Sequence, residues 1–266
     1  MQLIKRLINK IDHPIIKIGN KQKSQLTKQE IPTIVYQTWT DSYFGFRHAK
    51  EINKFRNLNP DLDFVIYNDQ DCDEYMNEVW RGSEILEIYK RSLFGPLKAD
   101  IFRYCILFDK GGYYFDISKG CRFPLTKLHN PSNTALISAE KNECYVPPDY
   151  DSITKLIYYD RYYLQWGFGF KKNHIILETT ISNICRYYPF FKGKIFENPK
   201  SAILAFTGPG MFTKSLRESV PQVNINDIKQ AGIDFNNYGV FSLTGSEVRY
   251  KKIRAYTDFS NSMIVE

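Results

Sequence analysis

The 266-residue chain has only five cysteines and four histidines. Cys72, Cys105, Cys121, Cys144 and Cys185 are odd in number and widely spread, with no CxxC pair and no histidine at ligand spacing. That excludes a structural zinc site and a disulfide scaffold. No stretch reaches the roughly 18 uninterrupted apolar residues of a membrane-spanning helix, so a water-soluble protein is expected. The first apolar cluster is broken by Lys5, Arg6, Lys10 and Asp12, unlike a secretory leader, and the expected location is cytoplasmic. A phosphate loop is also missing, because Thr207-Gly208-Pro209-Gly210 is too short and lacks the Lys-Ser/Thr ending of a nucleoside triphosphatase. There is no internal repeat and no low-complexity segment. The net charge of +7 comes from basic residues scattered among 29 acidic ones, not from a stripe. No nucleic-acid partner is expected, and a nucleotide diphosphate or an anionic membrane surface accounts for the charge equally well.

What the chain has is size and rings. Its length suits one large α/β domain, and 19 Tyr with 19 Phe supply both core and flat platforms for a sugar. Residues 1–28 read as a basic arm, and residues 29–266 as a single domain. In the arm, Leu3, Ile4, Leu7, Ile8 and Ile11 share a helical face that can dock on the protein's own core or lie peripherally on the inner face of a membrane. Ile31–Gln37 and Phe64–Tyr67 read as strands flanking a helix over Arg47–Leu58 that ends at Asn59-Pro60. Strand, helix, strand implies parallel pairing with a right-handed crossover. A helix is expected over Asp71–Val79 with Asp69 or Asp71 as its N-cap, and a longer buried one over Pro96–Phe108 that stops at Gly111-Gly112. Tyr113–Ile117 and Thr134–Ser138 read as strands, Asn142–Asp151 as a loop and Ile175–Tyr188 as a helix. Ala202–Ala205 is a short apolar run, Phe206–Thr213 a turn opening into a helix, and Val240–Ala255 a pair of strands.

The stretch Lys98–Leu125 carries the chemistry. Asp100 and Arg103 fall one helical turn apart on one face, followed by the glycine pair, an aromatic strand and Asp116 at the end of that strand. Ligands of open α/β sheets gather at the carboxyl ends of strands. A departing nucleoside diphosphate develops negative charge that a cation, an Arg or a Lys must neutralise, and Asp100, Arg103, Asp116 and Lys119 form a suitable set. Taken singly, Asp100 with Arg103 also reads as a surface ion pair, Asp116 as a loop cap and Trp39 as core. Trp166-Gly167-Phe168-Gly169-Phe170 reads equally as an acceptor wall or as packing, while His48 and His174 read as structural.

In order along the chain, Ile31-Pro32 with Gln37-Thr38-Trp39, Asn59-Pro60, Tyr67-Asn68-Asp69, Lys98-Ala99-Asp100 with Arg103-Tyr104, Gly111-Gly112-Tyr113-Tyr114-Phe115-Asp116, Pro124-Leu125 and Thr207-Gly208-Pro209 make a composite pattern. It resembles glycosyltransferase family 32, the DXD-containing sugar transferases related to yeast-type α-1,6-mannosyltransferases and to the glucosyltransferase domains of clostridial toxins. The resemblance spans about residues 31–215. It implies a GT-A-like, Rossmann-type mixed α/β sheet flanked by helices, with helical and C-terminal β additions. It also implies a UDP- or GDP-sugar donor, Mn²⁺ or Mg²⁺, retention of configuration, and a glycan or lipid-linked acceptor in surface polysaccharide or glycoconjugate synthesis. Gln37, Thr38, Trp39, Gly112, Tyr114 and Lys119 would line the donor site, with Asp100, Arg103 and Asp116 as catalytic and donor-binding groups. The DXD reads Asp116-Ile117-Ser118 here, so the metal would rest on Asp116 and Ser118, one charge short. A module that binds nucleotide sugars or glycans without turnover is therefore the alternative reading. The usual first-block His is Tyr36, and the C-terminal Ser-Trp closure is absent, with Asp258, Asn261 and Ser262 nearest to its place.

Overall fold

The computed structural model describes residues 16–22, 28–241 and 258–266. The amphipathic arm and the strands expected beyond residue 241 fall outside the described residues. The strands are β1 (Ile16–Lys17), β2 (Ile34–Thr38), β3 (Tyr43–Phe44), β4 (Asp63–Tyr67), β5 (Gly112–Phe115), β6 (Lys119–Cys121) and β7 (Ala135–Glu143), then β8 (Arg161–Tyr163), β9 (Gly167–Phe170), β10 (Ile195–Phe196), β11 (Ile228–Ile233), β12 (Gly239–Phe241) and β13 (Ser262–Met263). The α-helices are α1 (Phe46–Leu58), α2 (Asp69–Val79), α3 (Glu84–Arg91), α4 (Gly95–Lys110), α5 (Tyr150–Lys155), α6 (Ile175–Phe191), α7 (Pro199–Phe206) and α8 (Pro209–Ser219).

A seven-stranded mixed sheet in the order β11-β7-β9-β5-β2-β4 organises the chain, with β8 added on β7. The β-branched run of β2 pairs parallel with β4 and with β5, and α1 makes the crossover from β2 to β4. The antiparallel strand β9 separates β5 from β7. The carboxyl ends of β2, β4, β5 and β7 therefore share an edge with the start of β9.

Alternate residues of these strands enter different cores, as a pleat requires. Tyr36, Tyr114, Phe168 and Phe170 pack with α4, α6 and α8 on one face. Val35, Tyr113, Phe115 and Leu136 pack with Phe55 of α1 on the other. All of β5 is buried, which its unbroken aromatic run fits.

The glycines of β9 are a packing device. A Cβ at Gly169 would lie 2.6 Å from the Tyr113 ring, and one at Gly167 would lie 2.8 Å from that of Phe115. Packing thus accounts for the Gly-Phe-Gly-Phe run, and only Trp166 of that motif reaches the cleft described below.

Several boundaries moved for local reasons. The N-cap of α2 is Asn68, not Asp69 or Asp71: its side chain accepts from the Asp71 amide at 2.9 Å, while the Asp71 carboxylate accepts from the Asn68 amide at 3.0 Å. The apolar run 202–205 lies inside α7, which opens on Pro199 with Asn198 as cap. Helix α3, capped by Ser83, and the short helix α5, which begins at Tyr150 where the expected loop ends, were not read from the sequence, while residues 144–149 of that loop have no regular structure. Asp234–Asn237 form a left-handed turn, with φ between 45° and 66° at all four residues. That conformation is costly outside glycine, and Phe235, fully buried against Phe115 and Trp166, fixes it.

Candidate active site

At the shared strand edge lies a cleft of about 1550 Å³. Its floor is set by α4 and the end of β5. Asp100 and Arg103, one turn apart on α4, are both 4% exposed, and Arg103 Nη2 sits 3.2 Å from Asp100 and 3.0 Å from Asp116. The same guanidinium donates from Nη1 to the Gln165 carbonyl at 2.8 Å and from Nε to the Ala99 carbonyl at 3.3 Å. It also lies over the Tyr114 ring, 4.5 Å from the centroid. Tyr114 in turn shares a hydrogen bond of 2.9 Å with Thr38, which ties β5 to β2 beneath the cleft.

Asp100 is spent within the protein. One carboxylate oxygen accepts from Gln165 Nε2 at 2.9 Å and the other from Thr207 Oγ1 at 2.8 Å. Burial raises its pKa, against the pull of Arg103, Gln165 and Thr207. For Arg103, burial opposes the charge, but Asp116, Tyr114 and Asp100 outweigh it and hold the guanidinium firmly protonated. Asp116 differs, since its side chain is 32% exposed and lines the cleft. Its backbone amide donates to the Trp166 carbonyl at 2.8 Å, which ties the end of β5 to the start of β9. Two carboxylates against one guanidinium leave the cluster one negative charge in excess, facing solvent through Asp116.

Ser118 and Lys119 follow Asp116 along the cleft wall. Burial lowers the Lys119 pKa, partly offset by Asp116 and Asp234. Thr38 and Trp39 also line the cleft, whereas Gln37 is 1% exposed and is not among the lining residues. Gly112 does not line it either. It sits at the opposite end of β5, where its φ of +110° and an added Cβ only 2.7 Å from the Ile34 carbonyl require glycine. Tyr114 acts from below, fully buried. Asp258, Asn261 and Ser262 do reach the cleft wall.

The sequence did not single out Thr40, Glu140 or Gln165, all of which line the cleft. Three buried polar atoms there, Trp39 Nε1, Thr40 Oγ1 and Gln165 Oε1, have no hydrogen-bond partner among the described residues. Buried polar groups are rarely left so, and a polar ligand would satisfy them. His48 and His174 do not line the cleft; each is buried.

Among the described residues no three His, Cys, Asp or Glu side chains converge as a metal cage. One carboxylate and one hydroxyl, Asp116 and Ser118, fit a cation of the Mg²⁺ type, which takes few protein ligands and completes its shell with phosphate oxygens and water.

Residues 45–136 match the family model described as the glycosyltransferase sugar-binding region containing the DXD motif. The chain is 28% identical over 225 residues to the initiation-specific alpha-1,6-mannosyltransferase of Candida albicans, covering 77% of this chain and 56% of that protein. It is 29% identical over 115 residues to inositol phosphoceramide mannosyltransferase 1 of Schizosaccharomyces pombe, covering 42% of this chain and 35% of that protein. The match therefore spans about half the length of the first relative and about a third of the second. Among solved structures, the PaToxG glycosyltransferase shares the fold with a TM-score of 0.50 at 16% identity, over 85% of this chain and 79% of that one.

Proposed function

We propose that this chain, a homologue of the DXD-containing sugar-binding glycosyltransferases, transfers a hexose from a nucleotide diphosphate sugar to a glycan or lipid-linked acceptor with retention of configuration. The names of the relatives favour mannose as the sugar and UDP or GDP carries it. The observation that carries the proposal is Asp116: a partly exposed carboxylate, braced by Arg103 at 3.0 Å, at the carboxyl end of a central strand and inside the large cleft.

In this reading Arg103 is a positioning residue. Its guanidinium is fixed by donation to the Ala99 and Gln165 carbonyls and pairs through Nη2 with both Asp100 and Asp116, so it holds Asp116 in place. Asp100, oriented by Gln165 and Thr207, keeps that guanidinium from swinging out. Asp116 and Ser118 would hold Mn²⁺ or Mg²⁺, which when bound neutralises charge on the departing diphosphate. Lys119 supplies positive charge beside it. Trp39 offers its ring edge and indole N–H to the nucleotide, and Gln165 Oε1 accepts from a sugar hydroxyl. A cytoplasmic location belongs to the same proposal and is supported by five cysteines that are all free thiols.

The test is release of sugar from UDP- and GDP-sugars with and without Mn²⁺. Asp116→Asn should lower kcat/KM by about 100-fold or more, with a moderate fall in melting temperature because buried Arg103 loses one of its two charge partners but keeps Asp100. Absence of turnover with every common donor would sink the enzyme reading. Ser118, standing where a carboxylate is usual, specifically favours the binding-module reading. That reading expects donor binding indifferent to chelator, and Ser118→Asp gaining both metal dependence and turnover.

A further inference from the structure

The cleft is larger than the roughly 300–1,000 Å³ of a pocket for one small molecule. Its wall also changes character. Asp116, Ser118, Lys119, Glu140 and Gln165 make one side, whereas Leu93, Phe94, Ile195, Phe259 and Met263 make another. Helix α4 connects them: Phe94 caps its start and Arg103 lies nine residues on, about 13 Å at the rise of an α-helix.

The apolar side is a built surface. The Leu93 amide donates to the Ile264 carbonyl at 3.0 Å, and the Gly193 amide donates to that of Val265 at 3.0 Å. β10 pairs with β13 in the register Ile195 to Met263, and the Phe94 and Phe259 rings meet edge to face at 5.1 Å. Ile264 and Val265 are fully buried beneath. On top, Leu93 is 48% exposed, Ile195 69% and Met263 37%. Scattered exposed apolar residues need no explanation, but several converging on one concave wall mark a ligand. Tyr89 donates to Asp73 at 2.7 Å and Lys98 pairs with the same carboxylate at 3.5 Å, while Asn261 and Ser262, next to Met263, line the cleft at the border of the apolar residues.

Resting on the sugar-transfer reading above, we infer that this wall is the acceptor subsite and that the acceptor presents an apolar aglycone, an alkyl or acyl chain, to Leu93, Ile195 and Met263. The acceptor's sugar or headgroup hydroxyl then points along α4 toward Asp116. The wall's continuity with the polar donor side, in a single cleft, selects the acceptor over an unrelated partner.

The experiment is calorimetric binding of octyl and methyl α-mannoside to the full chain, below the octyl glycoside's micelle concentration. Binding does not depend on turnover, and both probes carry the same sugar. The octyl glycoside should bind roughly 10- to 100-fold more tightly, as partial burial of its extra methylenes requires. In the double variant Ile195→Asn with Met263→Gln, two exposed positions, that ratio should fall toward one. Because the ratio is internal to each preparation, a fraction of misfolded protein cancels. Equal binding of both glycosides to the wild type, or an octyl preference unchanged in the double variant, overturns the inference. Titration of UDP- and GDP-mannose into the same samples separates the two readings. Octyl preference without any nucleotide-sugar binding would sink the donor reading and leave the apolar subsite standing.

Discussion

At the scale of single residues, the site is an exercise in what burial does to charge. Arg103 and Asp100 tolerate burial because each spends its polar atoms on the other and on Gln165, Thr207 and Ala99. Lys119 is more exposed, and its pKa is lowered by burial despite Asp116 and Asp234. For a lysine with a depressed folded pKa, the unfolded chain binds the proton more tightly. The burial cost is therefore present at neutral pH and relieved as pH rises past the folded pKa. The charge that the donor diphosphate would meet is lost over that same alkaline range, earlier than for an ordinary lysine. Donor affinity should accordingly fall on the alkaline side in the wild type, whereas Lys119→Arg, whose guanidinium stays charged, should hold its affinity to higher pH. Titrations of UDP- and GDP-sugars at several alkaline pH values decide it, and superimposable profiles for the two proteins would remove Lys119 from the donor site. Asp100, Arg103 and Asp116 were legible in the sequence because a helical turn and a strand end place them. Gln165 was not, because the bond to Asp100 joins residues 65 apart that only the antiparallel insertion of β9 brings together.

At the scale of elements, sequence pattern fixed the helices by their faces better than by their ends. Helix α4 was readable because its apolar spacing is long and Gly111-Gly112 ends it, with Gly111 at φ +67°. Helix α3 was missed because eight residues give too short a period to stand out, although Ser83 is a sound cap. The start of α6 makes a testable case. His174 Nδ1 accepts from the Ile176 amide at 3.2 Å, which requires that nitrogen to be unprotonated, and burial lowers the His174 pKa to about 4. An unfolded histidine has a pKa of about 6.5, so between these values only the unfolded state takes up the proton. Stability is unaffected above that window, falls as pH drops through it, and levels off below it. Between pH 7 and pH 4.5 the expected loss is about 2–3 kcal/mol from this one group. Asn is a good cap without a titrating ring, so His174→Asn should remove that part of the pH dependence. Urea unfolding at pH 7 and at pH 4.5 measures the difference. An equal loss in both proteins would assign the acid sensitivity to other groups.

At the scale of the whole molecule, the end of the described chain works on stability and on the cleft together. Ile264 and Val265 are fully buried, with their carbonyls bound by Leu93 and Gly193 just past α3 and α6, while their neighbours Asn261, Ser262 and Met263 line the cleft. The alternating pattern of Val240–Ala255 reads as a pair of strands, of which only residues 240 and 241 are described, and there β12 pairs with Lys119–Cys121 just past Asp116. Nothing in the local sequence announced the return of residues 262–265 to β10 and Ser92, because such a contact is set by where the preceding fold leaves a groove. A matched pair of core truncations separates packing from site geometry. Ile264→Ala and Ile184→Ala each empty a fully buried position, and each should cost about 2–5 kcal/mol. Ile184 sits in α6 and does not line the cleft, so its loss should leave ligand affinity near the wild-type value in the folded fraction. Ile264 underlies the apolar wall, so its loss should also weaken binding of the octyl glycoside several-fold more than that of the methyl glycoside. If both variants destabilise alike and neither changes the octyl-to-methyl ratio, the tail is a clasp on the core and the wall it carries has no part in choosing the acceptor.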